Sequence, residues 1–485
     1  MVIIPLLIVL SCIYYVYFRR MRKPLYALSE SLPDTGCLPI LGHTHWFIGG
    51  PEKILSNILE LAQLVDDSGG IGKIWIGPSL YIVSFNPEDV QKILEGSLQK
   101  DSSYRFLQDW LGNGLFVAPV DLWKIHRKVL LSVFHNRIIE DYVGVFGEQG
   151  KVLVGRLEDQ VGKKEFDVFR YITSCMLDIV FETAMGEKMN VQYNPDTPYL
   201  RARNTVISII GMRLFKAWMQ PNALFNLTSY SKTQKENIEA THKFTDEVVK
   251  KKRTLFEARE KIVTQGRRDL LELLLDRDTK FTDEELREHI DSITIAGNDT
   301  TALVICYALL LLGQHSEAQD KVYNELRDIF GDSLRSPTKE DLNKMEYLER
   351  VIKETMRLYT VVPIIGRETQ KEIKLSKCTV PAGVGCAVLL FVMHRSKRIW
   401  GSDADTFNPD RFLPENSAKR HPCSYIPFSY GNRNCIGRHF GMLAMKSILA
   451  NIIRSYKITS KRCERLKIEI LLYPVPGHLI SIEKR

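Results

Sequence analysis

The run from Thr282 to Gly313 constrains the fold of this 485-residue chain more than any other stretch. Thr282-Asp283-Glu284-Glu285 has the pattern of a capping box, in which a threonine hydroxyl and a glutamate three residues on satisfy each other's backbone N–H groups. Gly313 supplies the stop. The spacing predicts one helix about 46 Å long. Its second half, ALVICYALLLL, is apolar on every side, so it has to be surrounded, yet it falls well short of the ~20 residues a bilayer crossing needs. The surroundings are therefore protein. An apolar fraction of 45% suits a core large enough to enclose such a rod.

The N-terminus has the opposite character. Residues 1–18, MVIIPLLIVLSCIYYVYF, carry no formal charge and span roughly 27 Å as a helix, close to the thickness of the endoplasmic reticulum bilayer. Arg19, Arg20, Arg22 and Lys23 follow at once. A secretory signal places its positive charge before the apolar run and ends in small residues, whereas here the charge comes after and the end is aromatic. Residues 1–18 are expected to be a retained membrane anchor, a transmembrane helix with its N-terminus in the lumen and the rest of the chain on the cytosolic face. Residues 19–45 read as a basic stop-transfer segment and a hinge stiffened by Pro33, Gly36, Pro39 and Gly42. No repeat or low-complexity linker divides residues 46–485, so one large domain is expected.

KIWIGPSLYIVSF, ending at Phe85, reads as a hairpin, and Asn86-Pro87-Glu88 then opens a helix. The period stays mostly helical to about residue 360. Beyond residue 370 short strands appear, including TVPAGVGCAVLLFV and a terminal pair, KIEILLY and HLISIE, around Pro474-Val475-Pro476-Gly477. The expected fold class is mainly α with small β-sheets (α+β).

The 66 basic and 58 acidic residues leave a net charge of +8. The excess clusters behind the apolar run and at Lys250 to Arg253, which favours an anionic membrane face or an acidic protein partner. No zinc-finger spacing, basic heptad or RNA-binding aromatic box is present, so nucleic acid is not a partner. The nine cysteines (12, 37, 175, 306, 378, 386, 423, 435, 463) are odd in number and lack any C-x-x-C pair, which argues against a disulfide framework or zinc knuckle and for a reducing compartment. All but Cys435 read as small buried apolar residues.

Cys435 stands in PFSYGNRNCIGRHF, residues 427–440. A cysteine thiolate binds iron from one axial side, but in an apolar cavity a bare thiolate is costly and easily protonated. Gly431 and Gly437 remove side chains where backbone has to approach a flat cofactor, and the amides opening the next helix can point at the sulfur. Arg433 is available for a carboxylate at the cofactor rim. Phe428-x-x-Gly431-x-Arg433-x-Cys435-x-Gly437 resembles the haem-binding motif of the cytochrome P450 superfamily of haem-thiolate monooxygenases, with every fixed position present.

Other segments agree in the order that resemblance implies. Glu354-x-x-Arg357 and, further on, Arg411 in Pro409-Asp410-Arg411-Phe412 match the family's structural charge triad behind the haem. Alone, E-x-x-R means little, since Glu284 and Arg287 match it too. Ala296-Gly297-Asn298-Asp299-Thr300-Thr301 resembles the oxygen-binding segment, with Thr300 beside bound oxygen and Asp299 feeding protons from solvent. Small Ala296 and Gly297 leave room beside that helix. Trp123, Arg127 and Arg367 match positions that contact the haem propionates, while His126 and His394 read as structural.

RLFKAWMQPNALFNLTSY and THKFTDEVVKKKR are most similar to the microsomal fourth family. Many of its members place before the helix glycine a glutamate that esterifies a haem methyl. This chain has Ala296 there, so haem b (iron protoporphyrin IX) is expected to be non-covalent.

No G-x-S-x-G, H-E-x-x-H or G-x-G-x-x-G occurs, and Gly69-Gly70-Ile71-Gly72-Lys73 lacks the spacing of a phosphate loop. Without a built-in flavin or nicotinamide domain, electrons are expected from NADPH through NADPH–cytochrome P450 reductase, with cytochrome b5 as a second donor. The resemblance implies an endoplasmic reticulum enzyme hydroxylating or epoxidising a fatty acid, terpenoid, hormone or xenobiotic. Two alternatives stay open: a haem-thiolate peroxide isomerase or dehydratase that does not activate O2, and a non-catalytic haem-binding protein. The pocket is expected from the 101–119 loop, the aromatic segment from Phe215 to Phe225, the long helix and Val361 to Ile365, all favouring a lipophilic ligand.

Overall fold

The computed structural model describes residues 3–33, 36–38, 41–258, 267–277, 281–462 and 464–485. The anticipated rod is a helix over Asp283–Gln314 with both halves of the capping box made: the Thr282 Oγ1 accepts from the Glu285 N–H and the Glu285 Oε2 accepts from the Thr282 N–H at 2.9 Å. From Ala302 to Leu312 every side chain is buried. Helices Phe169–Val180, Ser229–Ala258, Glu346–Leu358 and Arg438–Ser455 enclose it. By length and composition alone this helix is able to cross a membrane, and most of it lies inside the protein. The architecture is mostly helical, with four small sheets among the described residues.

The largest sheet has four strands in the order Ile71–Ile76, Ser79–Ser84, Gly385–Leu389, Ile364–Glu368. Its first pair is the anticipated hairpin, with Ile74 opposite Tyr81, and the turn passes through Gly77 at φ 53°. Ser79–Ser84 runs parallel to Gly385–Leu389, and the antiparallel pairing of Gly385–Leu389 with Ile364–Glu368 sets Cys386 opposite Arg367. Asn86 caps the helix Pro87–Gly96, its side chain accepting from the Glu88 and Asp89 amides. This helix abuts the Cys435 loop where Leu94 meets Gly431.

The C-terminal strands pair differently from expectation. KIEILLY folds on itself, Leu466–Ile468 against Leu472–Pro474, because the chain reverses where the Glu469 amide donates to the Leu471 carbonyl at 3.0 Å. Leu479–Lys484 instead joins Tyr456–Thr459 on one side and Phe166–Asp167 on the other.

The N-terminal segment differs too. A helix covers Ile3–Met21, and a second, Lys23–Glu30, opens with a proline in its first turn, where no intrahelical N–H is needed. The expected hinge over 19–45 is thus helical as far as Glu30; its Pro39 lies outside the described residues. Packing on the domain also begins before residue 46. Tyr26 stacks on Trp75 at 5.0 Å, Leu32 is buried, and buried His43 accepts the Trp75 N–H at Nδ1 at 3.0 Å. The Lys250–Arg253 run is not a free basic patch, because three of its four cations are paired: Lys251 with Glu187 at 2.6 Å, Lys252 with Asp269 and Glu272, and Arg253 with Asp283 at 2.5 Å.

Candidate functional site: a cavity over Cys435

One cavity of about 1120 Å³ lies between the central helix, the four-stranded sheet and the 428–437 loop. Cys435 forms its floor. The loop is held by the Cys435 N–H donating to the Phe428 carbonyl at 2.9 Å, and it turns through two left-handed residues, Ser429 at φ 62° and Gly431 at φ 73°. A Cβ on Gly431 would sit 3.0 Å from the Leu94 carbonyl oxygen. Gly431 therefore serves the turn and the contact with helix Pro87–Gly96, in place of the cofactor clearance expected of it. Gly437 is the glycine beside the sulfur, where an added Cβ would lie 3.9 Å from Cys435 Sγ.

The Cys435 sulfur is exposed only to the cavity; protein encloses it otherwise. Burial pushes its pKa up, opposed by the Gly437 N–H and by the Arg127 and Arg438 charges. Such a sulfur, open on one side and disfavoured as a bare thiolate by burial, suits a metal ligand, since a cation in front completes the charge balance.

Above the loop three arginines and a tryptophan converge. Arg433 donates from Nη1 to the Leu98 carbonyl at 2.7 Å and from Nη2 to the Ala118 carbonyl at 2.6 Å, with its guanidinium 5.0 Å over the Trp123 ring. Arg127, on the same helix as Trp123 (Val120–Val133), donates to the Asn434 Oδ1 at 2.8 Å. Arg367 donates to the Gly366 carbonyl at 2.9 Å. The Nε atoms of Arg367 and Arg433 are buried without a hydrogen-bond partner, and none of the three arginines has a carboxylate within ion-pair distance among the described residues. Burial depresses the pKa of all three, and for Arg433 to about 10. A flat macrocycle with two carboxylates on its edge fits this donor set, because the buried Arg367 and Arg433 and the half-buried Arg127 would share the anions they lack.

The central helix crosses the cavity with Ala296, Gly297, Asp299, Thr300 and Thr301 on its wall. Thr300 Oγ1 donates to the Ala296 carbonyl at 2.7 Å. Asp299 was expected to reach solvent. It is instead buried, 2.6 Å from Arg203 Nη2 on helix Pro198–Phe215, and it accepts from Asn298 Nδ2 at 2.9 Å.

Behind the Cys435 loop, Glu354 and Arg357 are fully buried and joined at two points, 2.7 and 2.8 Å. Arg357 also donates to the His394, Ala404 and Thr406 carbonyls, Glu354 Oε1 accepts the Asn408 N–H at 2.9 Å, and Arg411 Nε lies 3.3 Å from Glu354 Oε1. His394 is buried and accepts the Ile426 N–H at Nε2, with Nδ1 2.8 Å from the Thr360 hydroxyl. His126 packs edge-on against Phe281 and His289. Neither histidine is among the residues facing the cavity.

The 101–119 loop, Phe215 and Val361 to Ile365 line the cavity, but Phe225 turns away into a small cluster with Ile209 and Met219. Sequence reasoning missed the hairpin tip at Ile468 to Leu471, which closes the cavity from the C-terminal side, and also missed Asn434 and Lys100 on the cavity wall and Arg203 behind Asp299. Of these, Asn434, beside Cys435 in the quoted motif, and Lys100, adjoining the 101–119 loop, carried a signal.

The whole chain resembles known proteins. The cytochrome P450 family model matches residues 33–480. Cytochrome P450 4c3 of Drosophila melanogaster is 34% identical, covering 98% of this chain and 93% of the relative. Human cytochrome P450 4V2 is 37% identical, covering 92% and 88%. The crystal structure of the cytochrome P450DA heme domain superimposes with a TM-score of 0.79 at 23% identity, over 94% of this chain and 96% of that one, which establishes the likeness of fold.

Proposed function

The chain belongs to the cytochrome P450 family, and from that premise we propose that it is a membrane-anchored monooxygenase inserting one oxygen atom into a lipophilic substrate, with electrons from NADPH delivered by NADPH–cytochrome P450 reductase and assisted by cytochrome b5. As a family member it is a monooxygenase-class oxidoreductase whose cofactor is haem b, bound without a covalent link. The observation that carries the reading is Cys435, a sulfur open on one side to a largely apolar cavity and overlooked by buried cations that lack an anion.

Bound haem supplies the oxygen activation. The chain's residues do the rest. Cys435 holds the iron; Arg127, Arg367, Arg433 and Trp123 seat the carboxylate edge; Phe428 and Gly437 shape the pocket around the sulfur. Glu354, Arg357 and Arg411 hold the loop from behind. Thr300 would turn its hydroxyl from the Ala296 carbonyl into the cavity and give up its proton there, and Asp299, once loosened from Arg203 and protonated by water, would return a proton to the Thr300 oxygen. Gly297 and Ala296 leave space on that wall, and Ala296 has no carboxylate to esterify the cofactor. Phe106, Trp110, Ile210 and Ile295 make the rest of the chamber water-poor, which selects a fatty acid, terpenoid, hormone or xenobiotic.

The helix Ile3–Met21 exposes Leu6, Val9, Leu10, Ile13 and Val16, with Arg19 and Arg20 at its end. That surface suits an endoplasmic reticulum anchor with the catalytic domain on the cytosolic face. In this division residues 1–18 are the anchor, 19–45 the connection and 46–485 the catalytic domain.

A Cys435→Ser variant tests the core of the proposal. It should lose the thiolate-specific absorbance of the reduced carbon monoxide complex, and a retained band refutes the ligand assignment. Acid extraction should free all the haem; haem left on the protein contradicts the role given to Ala296.

A further inference from the structure

Resting on the haem-binding reading above, we infer that Lys100 is a further partner of the cofactor carboxylates and that, through the rings around its ammonium, it ties the 101–119 loop of the substrate chamber to the bound cofactor. Lys100 stands between the two arginines that face the same edge. The Leu98 carbonyl accepts from Arg433 at 2.7 Å, and the Gln99 carbonyl accepts the N–H of Glu368, the residue after Arg367, at 3.0 Å. The Lys100 Nζ lies 4.1 Å from the Tyr104 ring centroid and 3.9 Å from that of Phe116, the two rings being 5.9 Å apart. Both aromatic residues come from the loop and line the cavity.

No carboxylate lies within ion-pair distance of Lys100 among the described residues. Its neighbour Asp101 is turned elsewhere, accepting from the Ser103 hydroxyl at 2.6 Å and the Tyr81 hydroxyl at 3.2 Å. Burial, Arg367 and Arg433 together push the Lys100 pKa well down, so the ammonium is at odds with its surroundings until an anion joins them. Two ring faces attract a cation without neutralising it, which holds the Lys100 Nζ in place beside the cavity. The neighbours of its charge are the propionate-facing arginines, which favours the cofactor over a substrate as the source of that anion.

The test uses the haem-loaded full chain as wild type, Lys100→Met and Lys100→Arg. Haem transfer to excess apomyoglobin should be about 10- to 100-fold faster in Lys100→Met, the loss expected for one charge-assisted hydrogen bond, and should stay near wild type in Lys100→Arg. Hydrogen–deuterium exchange across 101–119 should rise in Lys100→Met, and the haem midpoint potential should fall in that variant only. If Lys100→Met fails to fold, Lys100→Gln replaces it in the same three measurements. Haem release and potential indistinguishable from wild type overturn the inference. So does a variant that keeps its haem but loses the spectral shift given by a long-chain carboxylate, since Lys100 would then serve the substrate. A wild-type protein without thiolate-ligated haem would instead sink the functional reading itself.

Discussion

Glu354, Arg357 and Arg411 behind the Cys435 loop and Lys100, Arg127, Arg367 and Arg433 in front of it are two sets of charges, buried or half-buried, with opposite bookkeeping. In the first, acid meets base and backbone carbonyls take up the remaining N–H groups. In the second, cations converge from four segments with backbone carbonyls, an amide and aromatic rings for company and no carboxylate within ion-pair distance. A closed network is a part of the scaffold, whereas an unbalanced one is a receptor. The same chemistry, guanidinium in low dielectric, thus marks structure in one place and ligand in the other.

Breaking the closed set should have the largest effect. Glu354→Ala strands the fully buried Arg357 charge and should cost about 3–5 kcal/mol, seen in chemical denaturation of the whole protein. A loss confined to haem release would erase the contrast. Arg367→Met is the complementary case. Global stability should hardly change, while haem affinity falls by about 1.5–3 kcal/mol in transfer to apomyoglobin.

Acid should find the closed side first. His394 next to Arg357 is held neutral, its pKa pushed to about 3 by burial and then by Arg357. The unfolded chain takes up that proton near the ordinary value of 6.5 and the folded one does not, so the stability this group contributes is complete above pH 6.5 and is lost as pH falls toward 3. The slope approaches about 1.4 kcal/mol per pH unit inside that window, and His394→Gln should flatten it in denaturation midpoints measured across pH. The smallest effect belongs to the outer end of the same network. Asp403 meets Arg411 at 2.6 Å but its side chain is 54% exposed, so Asp403→Asn should cost less than about 1 kcal/mol. A cost matching Glu354→Ala would mean that burial does not govern the network.

What was legible in advance followed from local rules. The cap at Thr282, the Gly77-Pro78 turn, the Asn86-Pro87 helix start and the motif around Cys435 each depend on residues a few positions apart, and such patterns survive in one dimension. KIEILLY misled because its turn depends on one amide-to-carbonyl bond that leaves no compositional trace. Gly431 was noticed for its absent side chain, but the reason lies with Leu94, more than three hundred positions away in the chain.

The amino-acid order by itself determined the central rod, its need to be enclosed, the cysteine available to a metal and the arginines available to carboxylates, because capping, periodicity and residue chemistry act at short range. Only the tertiary structure decided that Asp299 is tied to Arg203, that Glu354 is neutralised on both sides, and that Lys100 joins Arg367 and Arg433 on one cavity wall. Charge balance in a buried site is a sum over distant segments, and that sum exists only once the chain has folded.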